Sequence, residues 1–207
     1  MMKSISEHWN EIFSTKEDSQ LGWYEKSAEQ TFELLNKIPE WGKSTILLTG
    51  AGTTVLAEEL SNKGARLVLN DISDEALEKL KKTLGKAKSA EITWLCQDIS
   101  QPIQKALPEI RIWIDRAVLH FLIEENDIDG YFRNVKSTLK LGSYALFAEF
   151  SETGATKCAG LPVHRYSAQE LSERLGSSFK LIEESSYTFI NPFGDPRPYI
   201  YALFERI

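Results

Sequence analysis

The chain has 207 residues, of which 42% are hydrophobic, 26% charged and 11% aromatic. That is enough for one sizeable core and fits neither a disordered nor a fibrous composition. A formal net charge of -6 argues against a nucleic-acid partner, because Lys and Arg supply the phosphate neutralisation on which such binding rests.

Lys79-Leu80-Lys81-Lys82, the densest basic run, reads as the solvated face of a helix. No apolar stretch approaches the roughly 20 residues that span a bilayer, and residues 1–8 turn polar without an apolar signal core. A cytoplasmic protein with no membrane partner is expected. Two cysteines, Cys96 and Cys158, and three histidines, His8, His120 and His164, show no metal-ligand spacing. No metal is expected.

From residue 45 the chain alternates short apolar runs with helical periodicity, the pattern of βαβ units on a parallel sheet. A strand over 45–49 breaks at Gly50, and a helix over 54–63 ends at Gly64. A second strand over 66–70 precedes a helix over 74–84, which stops at Gly85. Strands over 92–96 and 111–115, a helix over 128–139 and a strand over 144–148 continue the pattern. Ser167 and Glu170 read as a capping box opening a helix to about Leu175. Two β-rich stretches, 179–189 and 199–204, flank the turn residues 191–196 and pair antiparallel because the link is short. The expected fold class is α/β, a Rossmann-like doubly wound sheet that is mostly parallel with an antiparallel C-terminal strand.

Gly50-Ala51-Gly52-Thr53 occupies a strand-to-helix turn, where glycine lets the backbone approach a ligand. Asp71 ends the second strand, at the separation where a carboxylate accepts ribose hydroxyls. As a helix cap Asp71 is replaceable by Ser73 or Asp74. Val55 stands where a dinucleotide fingerprint needs a third glycine. Asp98 ends the third strand, suited to an exocyclic adenine amine, with Ile99 beside it to cover the ring; Asp115 and Arg116 end the fourth. These are the carboxyl ends of strands, where open α/β sheets bind ligands. The set points to an adenosine cofactor without a pyrophosphate.

The order of elements, with Gly50-Ala51-Gly52, Asp71 and Asp98, resembles the class I S-adenosylmethionine-dependent methyltransferases. More narrowly, His8-Trp9-Asn10-Glu11-Ile12-Phe13, Gly22-Trp23-Tyr24, Asp115-Arg116-Ala117-Val118-Leu119-His120-Phe121-Leu122 and Gly160-Leu161-Pro162-Val163-His164-Arg165-Tyr166 resemble a bacterial methyltransferase family of this length. The likeness runs through nearly the whole chain. It implies one domain over 1–207, seven strands with the last antiparallel, a helical lid over 1–40 and a core over 41–207. The implied cofactor is S-adenosylmethionine, leaving as S-adenosylhomocysteine. Its expected contacts are Trp23, Gly50, Ala51, Gly52, Thr53, Asp71, Ile72, Asp98, Ile99 and Asp115. The family's acidic residue two places before the first glycine is Leu48 here, and Thr49 or Thr53 would have to replace its hydrogen bonds.

Methyl transfer from a sulfonium needs the acceptor positioned, and needs a base only where the acceptor must lose a proton. His120 is the candidate base, and Arg116 the candidate for an anionic acceptor or the cofactor carboxylate. A packed histidine, and an Arg116–Asp115 ion pair, are the structural alternatives. Trp9, Tyr24, Arg116, His120, Cys158 and Tyr166 are the expected acceptor residues, and the long 149–166 connection is expected to contribute. The expected acceptor is a small molecule, with thiols and other soft nucleophiles favoured, on a monomer or weak homodimer. A protein lysine methyltransferase would need an open cleft. A nicotinamide oxidoreductase is disfavoured by Val55 and the C-terminal hairpin, and a non-catalytic adenosine-binding protein is the reading Leu48 motivates.

Overall fold

The computed structural model describes residues 3–207; Met1 and Met2, the first residues of the expected lid, lie outside it. Strands form where the apolar runs fall: β1 (Thr45–Thr49), β2 (Arg66–Asp71), β3 (Thr93–Cys96), β4 (Ile112–Arg116) and β5 (Tyr144–Phe150). These five are parallel, in the spatial order β3-β2-β1-β4-β5. A short hairpin, β6 (Lys157–Cys158) with β7 (Leu161–Pro162), stands apart from them. β8 (Phe179–Ile190) and β9 (Pro196–Arg206) complete a seven-stranded sheet, β9 running antiparallel between β5 and β8. Their tight link is held by the Asn191 side chain, whose Oδ1 accepts the N–H groups of Phe193 (3.0 Å) and Asp195 (2.8 Å).

The period of two along each strand sends alternate residues to opposite faces. Ile46, Leu48, Leu67, Leu69, Ile112 and Ile114 join one core with α2 (Glu29–Leu35), α3 (Val55–Asn62) and α4 (Asp74–Glu91). Leu47, Val68, Trp113 and Phe147 join the other with α5 (Glu125–Thr138) and α6 (Ala168–Leu175). The same parity governs the polar residues at strand ends. Asp115 and Glu149 follow Trp113 and Phe147 to the α5 face, while Arg116 turns to the opposite one.

Two local expectations change. Gly85 (φ +78°) bends α4 without ending it, and helical structure resumes to Glu91. The resumed turn is fixed from outside: Ser89 donates to the Lys81 carbonyl and Trp94 Nε1 to the Ser89 carbonyl, both at 3.0 Å. At α6 only half of the capping box forms. Ser167 accepts the Glu170 N–H at 3.2 Å, but the Glu170 carboxylate is drawn off by His164 Nε2 at 2.9 Å and Arg174 at 3.5 Å. A complete box instead opens α1 (Ile5–Thr15), between Ser4 and Glu7. Among the described residues, no helix is long and apolar enough to cross a membrane, and no cluster of His, Cys, Asp and Glu could hold a metal ion.

Candidate active site

A cavity of about 370 Å³ opens at the carboxyl ends of β1, β2 and β4, in the size range of small-molecule sites. Its roof is α1 with residues 21–25, and the β6–β7 hairpin closes one side. The roof is an aromatic cluster in which Trp9 meets Trp23 at 5.5 Å and Phe121 at 4.9 Å between ring centroids. Asn10 secures it to the turn after β2, donating to Asp74 Oδ1 (2.7 Å) and accepting from Ser73 Oγ (2.6 Å). Ser73 also caps α4 by accepting the Ala76 N–H at 3.1 Å, so Asp71 is not needed as a cap.

Gly50 (φ +55°) and Gly52 (φ +50°) shape the turn after β1 in a conformation that disfavours side chains. Asp71 is 5% exposed and shares the cavity wall with them. Its Oδ2 accepts the Gly52 N–H at 2.8 Å and its Oδ1 the Ser73 N–H at 2.9 Å, so the carboxylate fixes the turn while facing the cavity. Burial pushes this carboxyl up to about 6, against those N–H groups. Asp98 is shaped similarly, its Oδ1 taking the Ser100 N–H at 2.9 Å. Thr53, Ile72 and Ile99 also line the wall. Leu48 does too, so the place of the family's carboxylate is apolar. Thr49 does not replace it: its hydroxyl donates to the Ile114 carbonyl at 3.3 Å and it lies outside the lining.

Beyond β4 the parity of the strand decides the chemistry. Asp115 is completely buried and does not line the cavity, which corrects its expected cofactor role. Its Oδ2 accepts the Tyr131 hydroxyl at 2.6 Å and its Oδ1 the Val118 N–H at 3.0 Å. The second bond steadies the turn in which Ala117 holds φ +70°. Arg116 pairs with Glu25 of the segment after α1, not with Asp115, at side-chain exposures of 9% and 14%. Its Nε has no partner. Burial raises the Glu25 carboxyl, opposed by the Arg116 charge.

His120 is fully buried in a 3-10 turn over Leu119–Phe121, yet contributes to the cavity wall. Glu149, at the end of β5 and also fully buried, sets its ring: Oε2 lies 2.8 Å from Nδ1 and accepts the His120 backbone N–H at 3.1 Å. Nε2 has no partner. Burial lowers the imidazole to about 3 and raises Glu149 to about 8; Asp115 is raised well above its ordinary value by burial and by the Glu149 charge. At neutral pH the imidazole is therefore uncharged.

The cavity gathers Trp9, Trp23, Tyr24, Gly50, Ala51, Gly52, Thr53, Asp71, Ile72, Asp98, Ile99, Arg116, His120 and Cys158. It excludes Asp115, and also Tyr166, which is completely buried against His164 (4.5 Å between ring centroids) with its hydroxyl unpartnered. Tyr166 is thus no wall residue for an acceptor. Glu25, Glu149 and Tyr199 were missed. For Glu149 the signal was available: a carboxylate ending an otherwise apolar buried strand. For Glu25 and Tyr199 no local pattern marks them out.

Residues 46–142 match the family model described as a methyltransferase domain. No curated protein matches the chain. Among solved structures the chain is similar to a protein described under the conversion of a disulfide bond into a thioacetal group during echinomycin biosynthesis. The TM-score is 0.77 at 14% identity, covering 98% of this chain and 93% of that one. A S-adenosylmethionine-dependent methyltransferase from Anabaena variabilis matches with TM-score 0.75 at 15% identity, over 98% and 93% of the two chains. The N-methyltransferase NodS from Bradyrhizobium japonicum, in complex with S-adenosylhomocysteine, matches with TM-score 0.70 at 15% identity, over 96% and 98%. The matched domain spans a little under half of the chain, and the solved structures share its fold over nearly all of it.

Proposed function

We propose that the cavity binds S-adenosylmethionine and that the chain transfers its methyl group to a small-molecule acceptor enclosed with it. The observation that carries this reading is the charge of the wall. Four carboxylates (Glu25, Asp71, Asp98 and Asp127) and one cation, Arg116, line it among the described residues, and that cation is already paired with Glu25. Such a wall suits a ligand with hydroxyls, an amine and a positive sulfonium, and repels a pyrophosphate. Asp71 would hold the ribose hydroxyls, Asp98 the exocyclic amine of adenine and Ile99 its ring, with Ile72 and Trp23 packed alongside. Gly50, Ala51, Gly52 and Thr53 supply close backbone approach.

When bound, the cofactor offers a methyl carbon whose bond to sulfur breaks, the pair staying on sulfur, as an acceptor lone pair attacks in line. The chain's own part is to hold the acceptor and keep water out. Trp9, Tyr24 and Cys158 line one cavity with Asp71, beneath the roof formed by α1, which supports a small acceptor over a lysine on a protein surface. The solved N-methyltransferase holding S-adenosylhomocysteine on this fold supports the cofactor.

Titration calorimetry with S-adenosylmethionine, S-adenosylhomocysteine and the nicotinamide dinucleotides tests the proposal. Both sulfur nucleotides should bind and the dinucleotides should not. Asp71→Ala should weaken the former by about 1–3 kcal/mol. Selective dinucleotide binding, or no binding at all, overturns it.

A further inference from the structure

One residue that lines the cavity carries a buried polar atom with nothing to bond. His120 Nε2 belongs to a fully buried side chain in the cavity wall and has no partner. An unpaired buried polar atom is costly unless a ligand meets it. The other ring nitrogen decides what Nε2 can do. Glu149 Oε2, which already accepts the His120 backbone N–H at 3.1 Å, stands 2.8 Å from Nδ1. An oxygen accepting one N–H is placed to accept the second, an arrangement that favours the neutral ring with its proton on Nδ1 and a lone pair on Nε2.

We infer that Glu149 is a positioning residue that holds His120 as a hydrogen-bond acceptor and base, so the acceptor is a small N–H or O–H compound and not a thiol. This rests on the methyltransferase reading above. The ring also packs against Phe121 at 4.5 Å and Phe150 at 4.7 Å between centroids. The acceptor's heteroatom uses a lone pair to form the new bond to the methyl carbon, and its proton moves to Nε2. The imidazolium so formed is balanced through Nδ1–H by the carboxyl pair behind it. Asp115 and Glu149, two neighbouring carboxyls in the same buried layer, are both pushed upward by burial and cannot both ionise cheaply. A thiol, which ionises unaided near neutrality, needs none of this apparatus.

Charged and titratable groups near enough to act on Glu149 or to be acted on by it are Asp115 and Arg116 from β4, His120, Tyr131 from α5, Tyr166 before α6 and Tyr199 from β9. Ionisation of Glu149, whose carboxyl is raised to about 8, places a negative charge beside Nδ1–H and makes Nε2 more basic. Transfer to an N–H or O–H acceptor should therefore rise with pH through that region.

With three histidines in the chain, long-range proton–nitrogen NMR of the imidazole rings is readily assigned by His120→Asn. Wild type should show His120 neutral with its proton on Nδ1, and adding phenol to the S-adenosylhomocysteine-loaded protein should shift the Nε2 resonance. In Glu149→Ala the proton should move to Nε2. Turnover of phenol or benzimidazole should fall about 10²-fold or more in that variant, and the rise near pH 8 should vanish in Glu149→Gln.

A wild-type proton on Nε2, or a ring unchanged in folded Glu149→Ala, overturns the inference. So does methylation of thiophenol alone, at equal rates in all variants. Failure to bind either sulfur nucleotide would sink the methyltransferase reading separately, while the tautomer measurement still decides the role of Glu149.

Discussion

Gly50 sits at φ +55°, and a Cβ built there would lie 1.9 Å from Val118 Cγ2, a side chain fixed by the bond from its own N–H to Asp115. Gly142 has a similar φ of +77° but meets nothing within 4 Å. Both glycine-to-alanine changes carry backbone strain of about 1–3 kcal/mol, and only the first adds a clash with the wall of the site. Urea denaturation should show Gly50→Ala clearly less stable than Gly142→Ala, with cofactor affinity falling in the first alone. Equal losses would mean that Val118 moves aside and that the turn is less rigid than its geometry implies. The same scale explains Asp71, whose two oxygens bind the turn they belong to while facing the cavity.

Among the elements, the N-terminal roof makes one charged contact that no periodicity reveals. Glu25 reaches from the segment after α1 to Arg116 at the end of β4, and both side chains are largely buried. Leaving one half of such a pair uncompensated typically costs about 3–5 kcal/mol, whereas removing both halves costs far less. Glu25→Gln should therefore destabilise the protein and speed hydrogen exchange over residues 5–25, and adding Arg116→Gln should recover much of that loss. Additive losses in the double variant would show that the two side chains contribute independently and that the ion pair is not the latch. The aromatic contacts of Trp9 with Trp23 and Phe121 then hold the roof by packing alone.

For the molecule as a whole, the buried titrating groups pull stability in opposite directions with pH. Glu149 is raised to about 8 and Asp71 to about 6. The unfolded chain loses these protons first, so their contribution falls as pH rises from near 4 through those folded values. His120, lowered to about 3, works the other way: its contribution is present above about 6.5 and is lost as pH falls towards its folded value. Above pH 6.5 only Glu149 still titrates strongly among the three. Its loss of stability should approach about 1.4 kcal/mol per pH unit, and Glu149→Gln should flatten the curve between pH 6.5 and 8. A variant curve parallel to that of the wild type would show that Glu149 ionises as readily folded as unfolded.

Much of this was already written in the chain. Apolar runs ending at Gly50, Asp71, Cys96 and Arg116 set the strands, and the short link at 191–195 dictated the antiparallel return, because local propensity and turn chemistry act within a few residues. That Gly50, Gly52, Asp71 and Asp98 gather at one cavity was legible for the same reason, since all end or follow strands of one sheet. The rest was settled by contacts across the fold. Whether Asp115 faced the cavity or the α5 core depended on strand parity, and Glu149 became the partner of His120 only when β5 was laid beside β4. Sequence by itself determined the architecture and which strand-end residues gather at the cavity. Tertiary structure decided which buried charges meet, because desolvation and pairing depend on neighbours brought together from distant parts of the chain.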